Sequence, residues 1–258
     1  IKPSQGVHIV LDKSFLQSNS AIMIPKTSDG RVLFAIPWYN EVVVGTTDTP
    51  LDEISLEPVA LEKEINFILQ TAEKYLVKSP LRKDILSIFA GLRPLAANPN
   101  NPASTKDVSR RHKITISPSG LLSIIGGKWT TYRRMAEETI NKAIKAGFLD
   151  NRRCVTSNLK LTKLTKADSS DRLHIYGNSF SEIEKMISEN PGLGIPMNRR
   201  LPYTKAEMIW ICRNEMPQTI EDLLARRTRA LFLNARASAE IATEVAWLMA
   251  KELGYDMK

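Results

Sequence analysis

Leu122-Ser-Ile-Ile-Gly-Gly-Lys-Trp-Thr-Thr-Tyr-Arg-Arg134 joins a β-prone apolar run to two consecutive glycines and then to the opening of a helix. The helix is expected from about Thr131 to Ala146, with Gly147 ending it. Consecutive glycines let backbone N–H groups approach a ligand closely, and a helix N-terminus favours negative charge, so the stretch can cradle an anion or a cofactor with Lys128 at its lip. It is not a Walker loop, and no G-x-G-x-x-G fingerprint occurs anywhere in the chain. A plain strand-to-helix turn explains the same residues and stays open as the blander reading.

Working outward, Lys113 to Ser117 pairs naturally with Leu121 to Ile125 around Pro118-Ser-Gly120. Further upstream, Ala21 to Ile24 and Val32 to Ile36 flank Ser28-Asp-Gly30, a hairpin signal, and Glu41 to Val44 continues the meander. From Pro58 onward, Leu61, Ile65, Ile68, Leu69, Ala72 and Leu76 follow a 3.6-residue period, which places a helix on a sheet face. Ile85 to Ala90 reads as another strand. Beyond Asp150 the texture changes, with a polar linker over about 151–170 and then helical periods at Thr219 to Arg229 and Ile241 to Leu253. The expectation is an α+β fold, mainly antiparallel sheet with packed helices over 1–150, followed by a small all-α domain over 151–258.

Composition excludes several classes. With 43% hydrophobic and 25% charged residues the chain is neither disordered nor low in complexity. Its net charge of +8 divides evenly about Asp150, so there is no basic tail. No apolar run approaches the ~20 residues that a membrane-spanning helix needs. Two cysteines, Cys154 and Cys212, rule out a disulfide framework and a Cys-rich zinc site; both read as packing residues, and no metal ligand set is expected. The first residue is Ile1 and no signal segment follows, which reads as a chain cut from a longer one.

Three further places could carry chemistry. In Phe89-Ala-Gly-Leu-Arg-Pro-Leu95, Arg93 ends an apolar run and Pro94 is expected to stop the ladder; a guanidinium there can fork a phosphate or carboxylate, or can sit in a strand-end ion pair. His8, in Gly6-Val-His-Ile-Val10, reads first as a structural histidine at the start of a strand. Gly45-Thr-Thr-Asp-Thr-Pro50 is rich in self-capping side chains, which turn chemistry alone explains.

Taken in order, these motifs resemble the C-terminal half of the FAD-dependent, quinone-linked glycerol-3-phosphate dehydrogenases, flavoproteins of the D-amino-acid-oxidase-like class. The family pattern of G-x-H-I, I-P-W, G-T-T-D, G-[LV]-R-P-L and G-G-K-x-T-T-Y-R is matched by Gly6 to Ile9, Ile36 to Trp38, Gly45 to Asp48, Gly91 to Leu95 and Gly126 to Arg133. Leu201-Pro-Tyr203, Glu221 to Arg229 and Ala246 to Asp256 are similar to the family's C-terminal helical domain.

The resemblance implies oxidation of sn-glycerol 3-phosphate to dihydroxyacetone phosphate, with electrons passing through FAD to a quinone. It implies Arg93 and Lys128 as phosphate ligands, His8 as the base that removes the hydroxyl proton, and Gly127, Lys128, Thr130 and Thr131 as the residues that meet the flavin. It also implies a peripheral place on the cytoplasmic, inner face of the cell membrane, a homodimer and no nucleic-acid partner. Two departures stand out. The segment that grips the FAD pyrophosphate has no counterpart, so the chain alone is expected to fold but to be inactive. Trp129 replaces a frequent Leu and is expected to face the core. The competing reading is a non-catalytic basic module that binds nucleic acid or an acidic membrane through Arg110-Arg-His-Lys113 and Arg226-Arg-Thr-Arg229.

Overall fold

In the run Val7-His-Ile-Val-Leu11, Val7, Ile9, Val10 and Leu11 are all completely buried, and this β-rich run is the middle of an eleven-residue strand, β1 (Lys2–Asp12). The computed structural model describes residues 2–25, 27–28, 30–95, 112–160 and 172–255. Asp29 of the expected hairpin turn, Arg110 and Arg111 of the basic patch, Asp256 and the 161–170 part of the expected linker lie outside the described residues.

By its contacts the chain forms two units, one of residues 1–7, 46–64 and 90–161, the other of 8–45, 65–89 and 162–258. In the second, β2 (Ile22–Ile24), β3 (Leu33–Trp38) and β4 (Glu41–Gly45) form the antiparallel meander read from the sequence, and β4 pairs in turn with β1 from His8 opposite Gly45 to Asp12 opposite Glu41. In the first, the start of β1 pairs with β5 (Thr49–Pro50).

The helix expected from Pro58 starts later, as α1 (Glu62–Ala72), because the Glu64 carboxylate accepts the Leu61 N–H and fixes the first turn there. Strand β6 (Ser87–Leu95) pairs with β1. It runs through Pro94 instead of stopping before it, so Arg93 lies within the strand; an exposed proline is compatible with a strand where no ladder N–H is required. The hairpin β7 (Lys113–Ile116) and β8 (Leu122–Ile125) and the helix α2 (Tyr132–Lys145) lie where the sequence put them.

The C-terminal stretch is not all-helical. Between α3 (Phe180–Glu189) and α4 (Lys205–Asn214), a short hairpin pairs β9 (Pro196–Asn198) with β10 (Leu201–Thr204), whose Leu201, Tyr203 and Thr204 are buried. Nor is Thr219 to Arg229 one α-helix. Thr228 sends both its N–H and its hydroxyl to the Leu223 carbonyl, five residues back, which widens Asp222–Arg227 into a π-type turn before α5 (Ala230–Leu233) and α6 (Ala235–Leu253). Their apolar faces close a core of Ile183, Tyr203, Met208, Ile211, Leu223, Ile241 and Val245. Cys212 belongs to that core as expected, whereas Cys154 is half-buried beside Thr156 and packs no core. Among the described residues, no helix is long and apolar enough to cross a membrane.

Glu41, at the start of β4, is 3% exposed, and its Oε2 finds no partner among the described residues. Burial pushes its carboxyl up to about 7 from 4.5; the Asp12 carboxylate adds to this and the Asn40 backbone opposes it. The native chain therefore keeps a proton that the unfolded chain has already released, so this group lowers stability as pH rises from about 4.5 to about 7. Glu41→Gln is expected to flatten that slope and to stabilise the fold at pH 8 by at most about 3 kcal/mol, read by urea denaturation from pH 5 to 8.

Candidate functional site

In the first unit the Arg93 guanidinium lies against the backbone of Gly6. A Cβ built on Gly6 would stand 2.2 Å from Nη2 and 2.6 Å from Cζ, so only a residue without a side chain leaves the space. Nη1 donates to the Thr47 carbonyl at 3.1 Å and Nη2 to the Thr46 hydroxyl at 2.9 Å, while the Asp48 carboxylate stands 3.5 Å from Nη1. Asp48 is buried and also accepts the Ser4 hydroxyl. The Arg93 side chain keeps 24% of its surface exposed. Thus Gly6, Thr46, Thr47 and Asp48, from two of the sequence motifs, converge on the arginine of a third.

The threonine-rich turn is more than self-capping. Thr47 accepts the Val7 N–H at 2.9 Å and donates to Glu64, and Thr49 donates to the same carboxylate oxygen at 2.6 Å. Gln5 Nε2 and the Leu61 N–H donate to the other oxygen at 2.8 and 2.9 Å. Burial works against the Glu64 charge, but the hydrogen bonds from Thr49, Leu61, Gln5 and Thr47 outweigh it and hold the carboxyl below its usual range. Sequence reading passed over Glu64. The available signal was an acidic residue inside the apolar stripe of α1, between Leu61 and Ile65 and one turn before Ile68.

In the second unit the His8 ring lies over Gly45, where a built Cβ would stand 2.3 Å from Cδ2. It stacks on Phe89 with ring centroids 5.1 Å apart, and Phe89 meets Phe232 edge-on at 5.0 Å. The imidazole is half-buried and held flat between a backbone and an aromatic face.

The glycine turn is the least enclosed of the sequence-picked places. Gly126 and Gly127 take φ of 77° and 95°, the left-handed region, and Lys128, Thr130 and Thr131 are exposed. A Cβ on Gly127 would meet the Met135 side chain at 2.5 Å, so that side of the turn is filled from within the chain. Thr131 turns its hydroxyl back to the Lys128 carbonyl and gives α2 no side-chain cap; instead a 3-10 turn over Trp129–Thr131 leads into the helix, with the Thr131 N–H donating to the Lys128 carbonyl and the Tyr132 N–H to that of Trp129. Contrary to expectation, Trp129 does not face the core: it is 87% exposed and stacks on Tyr132 at 5.7 Å.

Residues 119–258 match the family model of the C-terminal domain of alpha-glycerophosphate oxidase. The chain belongs to this family. Mitochondrial glycerol-3-phosphate dehydrogenase of Bos taurus is 38% identical over 99% of the chain, and that of Arabidopsis thaliana is 36% identical over 99%. The chain spans 38% and 45% of the lengths of these two relatives. The crystal structure of the glycerol-3-phosphate dehydrogenase from Bacillus halodurans, complexed with FAD, superposes with a TM-score of 0.77 and 28% identity, over 99% of this chain and 54% of that one. These relatives favour the flavoenzyme reading over a basic binding module. In this member of the family Arg226 is moreover engaged by Glu221 and Asp222, and Arg227 by the Glu215 carbonyl, so that patch is largely occupied within the chain.

The two glycines separate two costs. Gly45→Ala drives a Cβ into a stacked ring that has little room to yield and is expected to destabilise the chain by about 1–3 kcal/mol. Gly6→Ala meets only the end of a flexible side chain, so its melting temperature should fall less while the guanidinium leaves Thr46 and Thr47. Thermal melts and crystal structures of the two variants check this.

Proposed function

We propose that the chain is the substrate-side portion of an FAD-dependent glycerol-3-phosphate dehydrogenase that oxidises sn-glycerol 3-phosphate to dihydroxyacetone phosphate. The observation that carries the reading is the Arg93 cradle, where residues of separate motifs meet on one guanidinium. Arg93 forks the substrate phosphate, and Lys128 adds a second cation. His8, whose half-buried ring is held in one orientation by its stack on Phe89, takes the proton of the C2 hydroxyl. Gly127, Lys128, Thr130 and Thr131, in the turn that leads into α2, would hold the edge of FAD, which would supply a hydride acceptor when bound.

All these residues precede residue 151, so 1–150 is assigned as the substrate-binding portion and 151–258 as a C-terminal domain. Activity belongs to the full-length protein. The resemblance further supports a quinone acceptor, a peripheral location on the inner face of the cell membrane and a homodimer.

The test is substitution of Arg93 in the full-length enzyme. Arg93→Ala removes a charge-assisted fork worth about 2–4 kcal/mol and should lower kcat/KM by roughly 30-fold to 1000-fold with flavin content unchanged. Arg93→Lys should recover part of the loss, because an ammonium carries the charge without the planar fork. Normal kcat/KM with a lowered melting temperature in Arg93→Ala would reduce Arg93 to a structural ion-pair residue.

A further inference from the structure

Glu64 touches neither Arg93 nor any group assigned to the chemistry, yet its carboxylate ties the start of α1 to the two segments that hold the arginine. One oxygen takes the hydroxyls of Thr47 and Thr49; the other takes the side-chain amide of Gln5, in β1, and the Leu61 N–H at the start of α1. The turn it grips is the one that accepts Arg93, through the Thr46 hydroxyl and the Thr47 carbonyl. Gln5 adjoins Gly6, the residue on which the guanidinium rests. The Thr47 hydroxyl stands between them, accepting from the Val7 N–H while donating to Glu64, so the turn is fastened to β1 on both sides of Gly6.

From this we infer that Glu64 is a positioning residue for Arg93: held by four donors and 3% exposed, it fixes the Thr46–Thr47 acceptors in the plane that the guanidinium must occupy to present its fork to a phosphate. The inference rests on the assignment of Arg93 to the substrate phosphate. A carboxylate suits the task because one group can accept from four directions at once, and no neutral side chain offers four acceptor positions without also presenting a donor. In Glu64→Gln, one of the two positions facing Gln5 and Leu61 or Thr47 and Thr49 would become an NH2 group pointed at other donors. The turn would then lose its tether on that side.

The experiment uses the full-length, flavin-loaded enzyme and a double-mutant cycle of Glu64→Gln with Arg93→Ala, reading KM for glycerol 3-phosphate, the inhibition constant of inorganic phosphate, kcat, flavin content and melting temperature. Glu64→Gln alone is expected to weaken both substrate and phosphate about tenfold while leaving flavin content unchanged, and to have no further effect on either constant once Arg93 is alanine. If Glu64→Gln fails to fold, Thr47→Val cuts the link from Glu64 to the residue whose carbonyl accepts Arg93 and should show the same loss and the same dependence on Arg93. A factor that persists undiminished in the Arg93→Ala background, or a lowered melting temperature with normal KM and phosphate inhibition, overturns the inference. Unaltered constants in Arg93→Ala itself would overturn the phosphate assignment beneath it, a separate result.

Discussion

Arg93 and His8, from two of the sequence motifs, each rest where a glycine of another motif leaves no room for a Cβ. The Arg93 guanidinium takes the space above Gly6, and the His8 imidazole takes the space above Gly45. Each pairing joins residues far apart in sequence, 87 positions in the first case and 37 in the second. A methyl group at either glycine would collide at about 2.2–2.3 Å, well inside contact distance. The glycines therefore act as vacant seats for another motif's functional group, and the motifs make physical sense only as a set. Gly127 adds a second requirement to the same one, since its φ lies in the left-handed region and a Cβ there would also meet the Met135 side chain.

How far the sequence could reveal this depends on range. The meander β2–β3–β4 was legible because its alternation and turn residues are local, and α2 and α6 because period and terminal glycines are local too. The polar opening of β1, Lys2-Pro-Ser-Gln5, gave no strand signal; it is a strand because Ser4 and Gln5 pair with Pro50 and Thr49, more than forty residues on. The hairpin β9–β10 and the π-type turn were hidden for the same reason. Leu201 and Tyr203 are buried by helices that follow later in the chain, and a single threonine bond widens Asp222–Arg227. At the site, the motif residues could be picked out but their partners could not. Glu64 is hidden from sequence reading because its four donors come from three segments, and Trp129, two residues beyond the glycines, is exposed and stacks on Tyr132, a contact that no apolar period announces.

Glu64 and Glu41 show how little burial alone decides. Both are 3% exposed, yet one is held ionised and the other has its carboxyl pushed up to about 7. The difference lies in what each carboxylate is offered. Glu64 receives four hydrogen bonds, enough to replace its lost water, whereas Glu41 faces Asp12 and leaves one oxygen without a partner. Identical residues at identical exposure thus serve opposite ends, one as a fixed anion that organises a turn and the other as a stability cost tied to pH.

That organisation bears on how an arginine can recognise a phosphate. A free guanidinium loses rotamer freedom when it closes on an anion, and that loss weakens binding. Arg93 has lost it already on folding, since Thr46 and Thr47 fix two of its nitrogens and Gly6 lets its plane lie flat against the backbone. Asp48, at 3.5 Å, balances its charge, which lowers the desolvation cost of holding a cation in a partly buried place. Under the proposed assignment, a phosphate would meet a guanidinium whose plane is already set, and discrimination would come from plane and angle as much as from charge. A lysine in the same seat would keep the charge but could not occupy both acceptors in one plane, so the cradle is matched to a guanidinium by shape before any ligand arrives.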